Sequence, residues 1–156
     1  MYDLNWTKLD SGSDHADDLK FEQVTADELH QIVSYADSVN VAFKDELADF
    51  NYNAASVKLL SDSISSERLK YTDERRIKVA NLFGAFLGQA MKISNKNIPS
   101  EWIKYRGDFG VVFTRGDQQH TAFPINRVFR HIDEGDEYST YIFFMAVREL
   151  LTSNSL

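Results

Sequence analysis

Apolar and polar positions repeat with helical spacing over most of the chain and change to strand spacing only once. Leu29, Ile32, Val33, Ala36, Phe43 and Leu47 lie three, four or seven apart, which predicts a helix over about 26–48. Thr25 and Glu28 stand at capping-box spacing just before that stripe. Asn53 is a second N-cap candidate, leading a helix with Val57, Leu60 and Ile64 that ends near Leu69. Thr72, Asp73 and Glu74 open a third helix with a hydroxyl cap and two acids where the helix dipole favours negative charge. Its face is Ile77, Ala80, Gly84, Leu87 and Met91, widened by Phe83 and Phe86, and Asn95 to Ser100 with Pro99 closes it.

From Trp102 the period shortens. Trp102 to Tyr105, Val111 to Thr114 and His120 to Phe123 read as three strands. Gly107 and Gly110 bracket the first expected turn at Asp108, and Arg115 to Gln118 forms the second. Pro124 suits the first position of a short helix carrying Ile125, Val128, Phe129 and Ile132, with Gly135 as its C-cap. Residues 138–151 fit a strand at Tyr141 to Phe144, but the Ala-Val-Arg-Glu-Leu-Leu ending favours a helix. The expected fold is α+β: three longer helices, a three-stranded antiparallel meander and two C-terminal helices. An acidic arm over 1–24, with a turn cluster at Asp10 to Asp14, precedes one domain over 25–156.

Composition narrows the chemistry. A chain of 156 residues with 43% hydrophobic positions can bury a core of its own. It has no cysteine, so disulfides and thiolate metal sites are excluded. The first residues show neither a basic nor an apolar leader, and no apolar run approaches bilayer length, so the expected location is cytoplasmic, without membrane contact. The net charge of −7 is unevenly held: residues 1–50 carry a net −9 and the remainder a net +2. That layout disfavours nucleic acid, which needs cationic surface, and suits a basic protein partner. Plain solubility is the commoner reason for such charge.

The C-terminal half resembles a group of small bacterial proteins of unknown function. The matching pieces are Leu82 to Gly88 (LFGAFLG), Glu101-Trp102, Gly107 to Gly110, Phe123-Pro124-Ile125-Asn126-Arg127-Val128 and Ser139 to Phe144. The resemblance implies helices against a small antiparallel sheet and no particular activity. The chain has Gln89 where that group suggests an acid, and Pro99-Ser100 where it suggests two glycines.

No residue set stands out as catalytic. Gly84 and Gly88 form a G-x-x-x-G within a helix, which points to close packing and not to a phosphate loop. Serines 61, 63, 65, 66 and 100 lie in no nucleophile elbow. Asp117 with His120, and His131 with Glu134, are spaced as metal ligands, but such pairs arise freely and no metal or other cofactor is expected. Arg68, Lys70, Arg75, Arg76 and Lys78 form the main basic concentration, which is expected to pair with the chain's own acidic front half. Trp102, His120, Arg127 and Arg130 are the candidate binding residues, on the expectation that sheet and helix share a groove there. Together these features suggest a non-catalytic bacterial interaction protein, of immunity or inhibitor type. Its partner would be met through an acidic or aromatic surface. The alternative is a small-ligand module or enzyme using the Trp102, His120 and Arg127 groove.

Overall fold

The structure, a computed structural model, describes residues 7–10 and 21–153. Among the described residues, five strands and five α-helices make an α+β fold. In chain order they are β1 (Thr7–Asp10), β2 (Glu22–Gln23), α1 (Ala26–Phe43), α2 (Ala54–Glu67), α3 (Asp73–Ser94), β3 (Ser100–Tyr105), β4 (Asp108–Arg115), β5 (Gln118–Ala122), α4 (Pro124–Glu134) and α5 (Thr140–Thr152). Short 3-10 turns follow α2 (Arg68–Lys70) and α4 (Asp136–Tyr138). The turn cluster expected at Asp10 to Asp14 lies, after Asp10, outside the described residues.

The helix caps follow from local chemistry. Thr25 and Glu28 form both bonds of a capping box, and Asn53 and Thr72 each accept a first-turn amide. The first helix stops at Phe43, short of the expected 48. Beyond Lys44 come Asp45, Glu46 and Asp49, acids that oppose the negative C-terminal end of a helix, and the chain folds into turns instead. Helix α2 ends at Glu67, and Leu69 is 86% exposed in the following turn. The ambiguous C-terminal segment is helical, with Ser139 capping it.

The sheet is wider than the expected meander. Its order is β1-β5-β4-β3-β2, every neighbouring pair antiparallel. Strand β2 has two residues and β1 reads Thr-Lys-Leu-Asp, so neither carries enough alternating hydrophobicity to show in the pattern. The first hairpin turn is Arg106-Gly107, both at positive φ, and not a turn at Asp108. Asp108 already pairs with Tyr105, and Gly110 lies within β4. This two-residue loop matches the right-handed twist of the strands it joins.

Helices cover one face. Trp102, Val111, Phe113 and Ala122 point toward them and join one core with Val57, Leu60, Ile64, Phe86, Val128 and Phe143. Burying each large side chain stabilises by about 1.5–3 kcal/mol. Helix α3 is the centre, touching α1, α2, α4, α5 and β4. Ala80, Ala85, Ala90, Gly84 and Gly88 let its neighbours approach on several sides. A Cβ at Gly84 would fall 2.5 Å from the Ile125 Cα in α4, and one at Gly88 would overlap the Trp102 ring. Close packing is therefore what the G-x-x-x-G serves.

Candidate functional site

A polar cluster joins α2, α4, the Asp136 turn and the start of α5. Helix α4 buries His131 completely, on the same face as Val128 and Ile132. The Ser65 Oγ of α2 is 3.0 Å from His131 Nε2 and donates to Asp136 Oδ1 at 2.6 Å. Asp136 Oδ1 is itself 3.3 Å from His131 Nε2. On the other side of the ring, Nδ1 accepts the Thr140 N–H at 3.2 Å and lies 3.0 Å from the Thr140 hydroxyl. Beside this, Ser61 Oγ accepts the Tyr141 N–H and meets Ser139 Oγ at 3.3 Å. Glycine is required at 135, where φ is 94°, to turn the chain from α4 into this cluster.

Serine, histidine and aspartate meet here, yet their roles are not those of a nucleophile, its base and an orienting acid. The Thr140 amide can bond only to a lone pair, so the network assigns the ring proton to Nε2. Nε2 then donates, and it has no lone pair with which to take a proton from Ser65. The carboxylate sits on the same nitrogen as the serine, whereas the orienting acid of a triad binds the opposite one. Burial pushes the His131 pKa down, while hydrogen bonds from Ser65 and His131 hold the Asp136 carboxyl below the usual carboxylate range. A lowered carboxylate is a poor base near neutral pH. The cluster is a neutral histidine clamp that fixes three helices. Ser65 and His131 are 66 positions apart, so no sequence spacing could have signalled their meeting.

The residues expected to bind are mostly built into the fold. Trp102 is 5% exposed and donates its indole N–H to Gln89 Oε1 at 2.8 Å. The Gln89 amide thus serves as a packing partner. A cavity that Trp102 lines is walled by Gln23, Val24, Leu29, Lys92 and Glu101, and not by His120 or Arg127. His120 is buried in β5 opposite Phe113. Arg127 is also buried, its guanidinium carbon 4.7 Å from the Phe143 ring centre and 5.4 Å from that of Tyr138. Arg130 lies over the other ring contact of Tyr138 at 3.9 Å and pairs with Glu134 at 2.9 Å. That pairing engages the carboxylate expected to accompany His131. Among the described residues no three His, Asp or Glu side chains gather to hold a metal ion.

The basic concentration is divided. Arg68 donates to the carbonyls of Ile132 and Asp133, at 2.8 and 3.1 Å, closing the C-terminal end of α4. Arg76 grips the Asp133 carboxylate with Nε and Nη2 and covers the Phe129 ring. Arg76 takes its counter-charge from Asp133 of α4 and Arg68 meets main-chain carbonyls there, so among the described residues neither pairs with the acidic front of the chain. Arg75 and Lys78 are exposed, and among the described residues neither has an ion-pair partner.

Opposite charge collects where α1 ends. Asp37, Asp45, Glu46 and Asp49 are exposed, Val41 among them is 68% exposed, and the last turn of α1 has no basic residue. Aromatic packing holds this end in place. Phe43 stacks on Phe50 at 5.6 Å and meets Phe83 edge-on at 5.8 Å, while Phe50 and Tyr52 both pack on Phe86. The Tyr52 hydroxyl donates to Asp37 Oδ1 at 2.8 Å, and burial beside that carboxylate pushes the phenol pKa up.

Among the described residues no helix is long and apolar enough to cross a membrane. The chain matches no family model, no curated protein and no solved structure.

Proposed function

We propose that this chain is a non-catalytic binding protein that holds a basic protein partner against the acidic end of α1, an inhibitor or immunity protein being one concrete form. The observation that carries this reading is a local conflict between charge and stability. Asp45, Glu46 and Asp49 follow the C-terminal end of α1, where the helix dipole disfavours acids, and the one base there, Lys44 at the C-cap, offsets them only in part. Asp45 and Glu46, next to the helix end, cost about 0.3–1 kcal/mol each at low ionic strength. Residues that oppose folding and yet sit on a fixed aromatic base, around an exposed Val41, are suited to an outside cation-bearing surface. The His131 clamp supports the same reading, because the place among the described residues where serine, histidine and acid converge is occupied in holding helices together.

The test compares wild type with an Asp45→Asn, Glu46→Gln, Asp49→Asn variant as bait in lysate at low and high salt. Wild type is expected to retain a stoichiometric basic protein at low salt and lose it at high salt. The variant is expected to fold with equal or greater stability and retain none. Equal capture by both baits, or capture that salt does not weaken, would overturn the proposal.

A further inference from the structure

Helices α1 and α3 part to leave a groove that the histidine clamp does not touch and that meets the acidic end only at the Phe43 and Phe83 rings. Its floor is apolar: Val39 and Phe43 from α1, Val79 and Phe83 from α3. Val39, Val79 and Phe83 belong to the core and show only their edges here. Arg75 and Lys78 line the same groove, spaced with Val79 and Phe83 so that all four share one side of α3. The volume is about 160 Å³. An apolar cavity of roughly 150 Å³ takes a benzene-sized group.

The charges define the rest of the occupant. The chain as a whole is acidic, yet this groove carries two exposed cations without an ion-pair partner among the described residues. The nearest acid on the α1 side by sequence, Asp37, is engaged by the Tyr52 hydroxyl. Solvation of long basic side chains explains isolated exposed cations. It does not explain two of them at the rim of an apolar slot on a chain of opposite net charge. We infer that the groove between α1 and α3 is a binding site for a small aryl carboxylate, its ring against Val39, Phe43, Val79 and Phe83 and its carboxylate between Arg75 and Lys78. The groove shares Phe43 and Phe83 with the base of the acidic end, but its cations lie on α3 and its occupant is anionic, so the ligand titration can fail while capture of a basic protein succeeds, and the reverse.

The probe is phenylacetate, titrated into the full chain and followed by amide chemical shifts, with benzyl alcohol and phenethylamine as neutral and cationic matches of similar size. Phenylacetate is expected to shift the amides around Phe43 and Phe83 with a Kd of about 1 mM, the two matches binding more weakly. An Arg75→Gln, Lys78→Gln variant should lose about fivefold in affinity for phenylacetate and keep its affinity for benzyl alcohol, since two exposed ion pairs are involved. Ala42→Trp, at the exposed rim, should fill the groove and abolish binding of all three while the chain stays folded. Equal affinity for phenylacetate and phenethylamine would reduce the groove to an uncharged cleft and overturn the assignment. The absence of any shift at about 10 mM phenylacetate, a level that saturates a millimolar site, would do the same.

Discussion

Replacing Gly84 by alanine sets two known effects against each other, and the structure decides the sign. In an exposed helix the change stabilises by about 1 kcal/mol, because alanine loses less backbone freedom on folding. Here the new Cβ would lie 2.5 Å from the Ile125 Cα and 2.6 Å from its Cγ1. Normal carbon contacts are about 3.5–4.0 Å, so α4 must retreat by about 1 Å. A rotamer change of Ile125 gives no relief, because the first obstacle is main chain. That retreat loosens Val128 and Ile132, which are 0% and 4% exposed against the same core. Overpacking of this kind costs about 1–3 kcal/mol, and backbone displacement belongs at the upper end. The net expectation is a loss of about 2 kcal/mol and a Tm lower by about 4–8 °C for a chain of this size. Urea denaturation and a thermal melt measure it directly. Gly88→Ala supplies the internal check, since its obstacle is the movable Trp102 ring. In a Trp102→Leu background the alanine at 88 should recover its helix-propensity gain, a coupling of at least about 1 kcal/mol. If Gly84→Ala raises stability by about 1 kcal/mol instead, the account of the G-x-x-x-G as a packing device is refuted.

Three further outcomes are expected. The fold holds His131 neutral, with a pKa below its ordinary 6.5, so the unfolded chain binds the extra proton first. Stability should be full above about pH 6.5 and fall as pH drops toward the folded pKa, with a further loss below about pH 4 as Asp136 is protonated; pH-resolved urea melts would show it, and a His131→Gln variant that keeps the same slope between pH 6.5 and 5 would count against it. Arg68→Ala removes both donors to the carbonyls of Ile132 and Asp133 and should cost about 1–2 kcal/mol, whereas Asp133→Asn, which weakens a partly exposed ion pair, should cost about 0.5 kcal/mol. The reverse ranking in chemical denaturation would show that the ion pair from α3, not the carbonyl cap from the turn after α2, fixes the C-terminal end of α4. Neutralising Asp45, Glu46 and Asp49 together should raise stability by about 1 kcal/mol at low salt and by less at high salt, and a loss of stability in the same melts would remove the conflict on which the proposed interface rests.

Elements with strong periodicity or explicit caps were readable from the chain. Helix α3 runs from the Thr72 cap to Asn95 as its stripe implies, and Pro124 and Gly135 bound α4. What escaped depended on contacts distant in sequence. Strand β2 exists because Glu22 and Gln23 find the edge of β3 at Lys104 and Ile103, and two residues have no period. Helix α1 is shorter than its pattern implies because Leu47 continues the apolar spacing, while the acids that follow Lys44 act through charge. The candidate binding residues were chosen for side-chain type, and type does not report direction. Trp102, His120 and Arg127 lie on faces turned into the core, so three of the most interface-like side chains are buried. The exposed groups that remain interesting, Arg75 with Lys78 and the acids beyond Phe43, look ordinary in sequence, because their meaning comes from what stands beside them.

The His131 cluster shows why residue type alone is a poor guide to activity in this chain. The same three side chains would suggest hydrolysis if only their proximity were considered. Direction reverses that reading. A backbone amide occupies the nitrogen that an orienting acid would need, and the acid shares the nitrogen that a base would need free. Rotating the ring to exchange the two nitrogens would break the bond from the Thr140 amide at the start of α5 and bury a second donor against it, a loss of about 1–3 kcal/mol for one unsatisfied buried group. The helix contacts therefore hold the inactive arrangement, and the stability of the bundle and the absence of a base at Nε2 have the same cause. A change that freed Nε2 to act on Ser65 would first have to unseat α5, so activity at this cluster cannot be gained by a local adjustment. Interaction through the surface carries no such conflict: the acids beyond Phe43 and the cations at 75 and 78 touch no part of the clamp, and both can be altered while the fold that presents them stays intact.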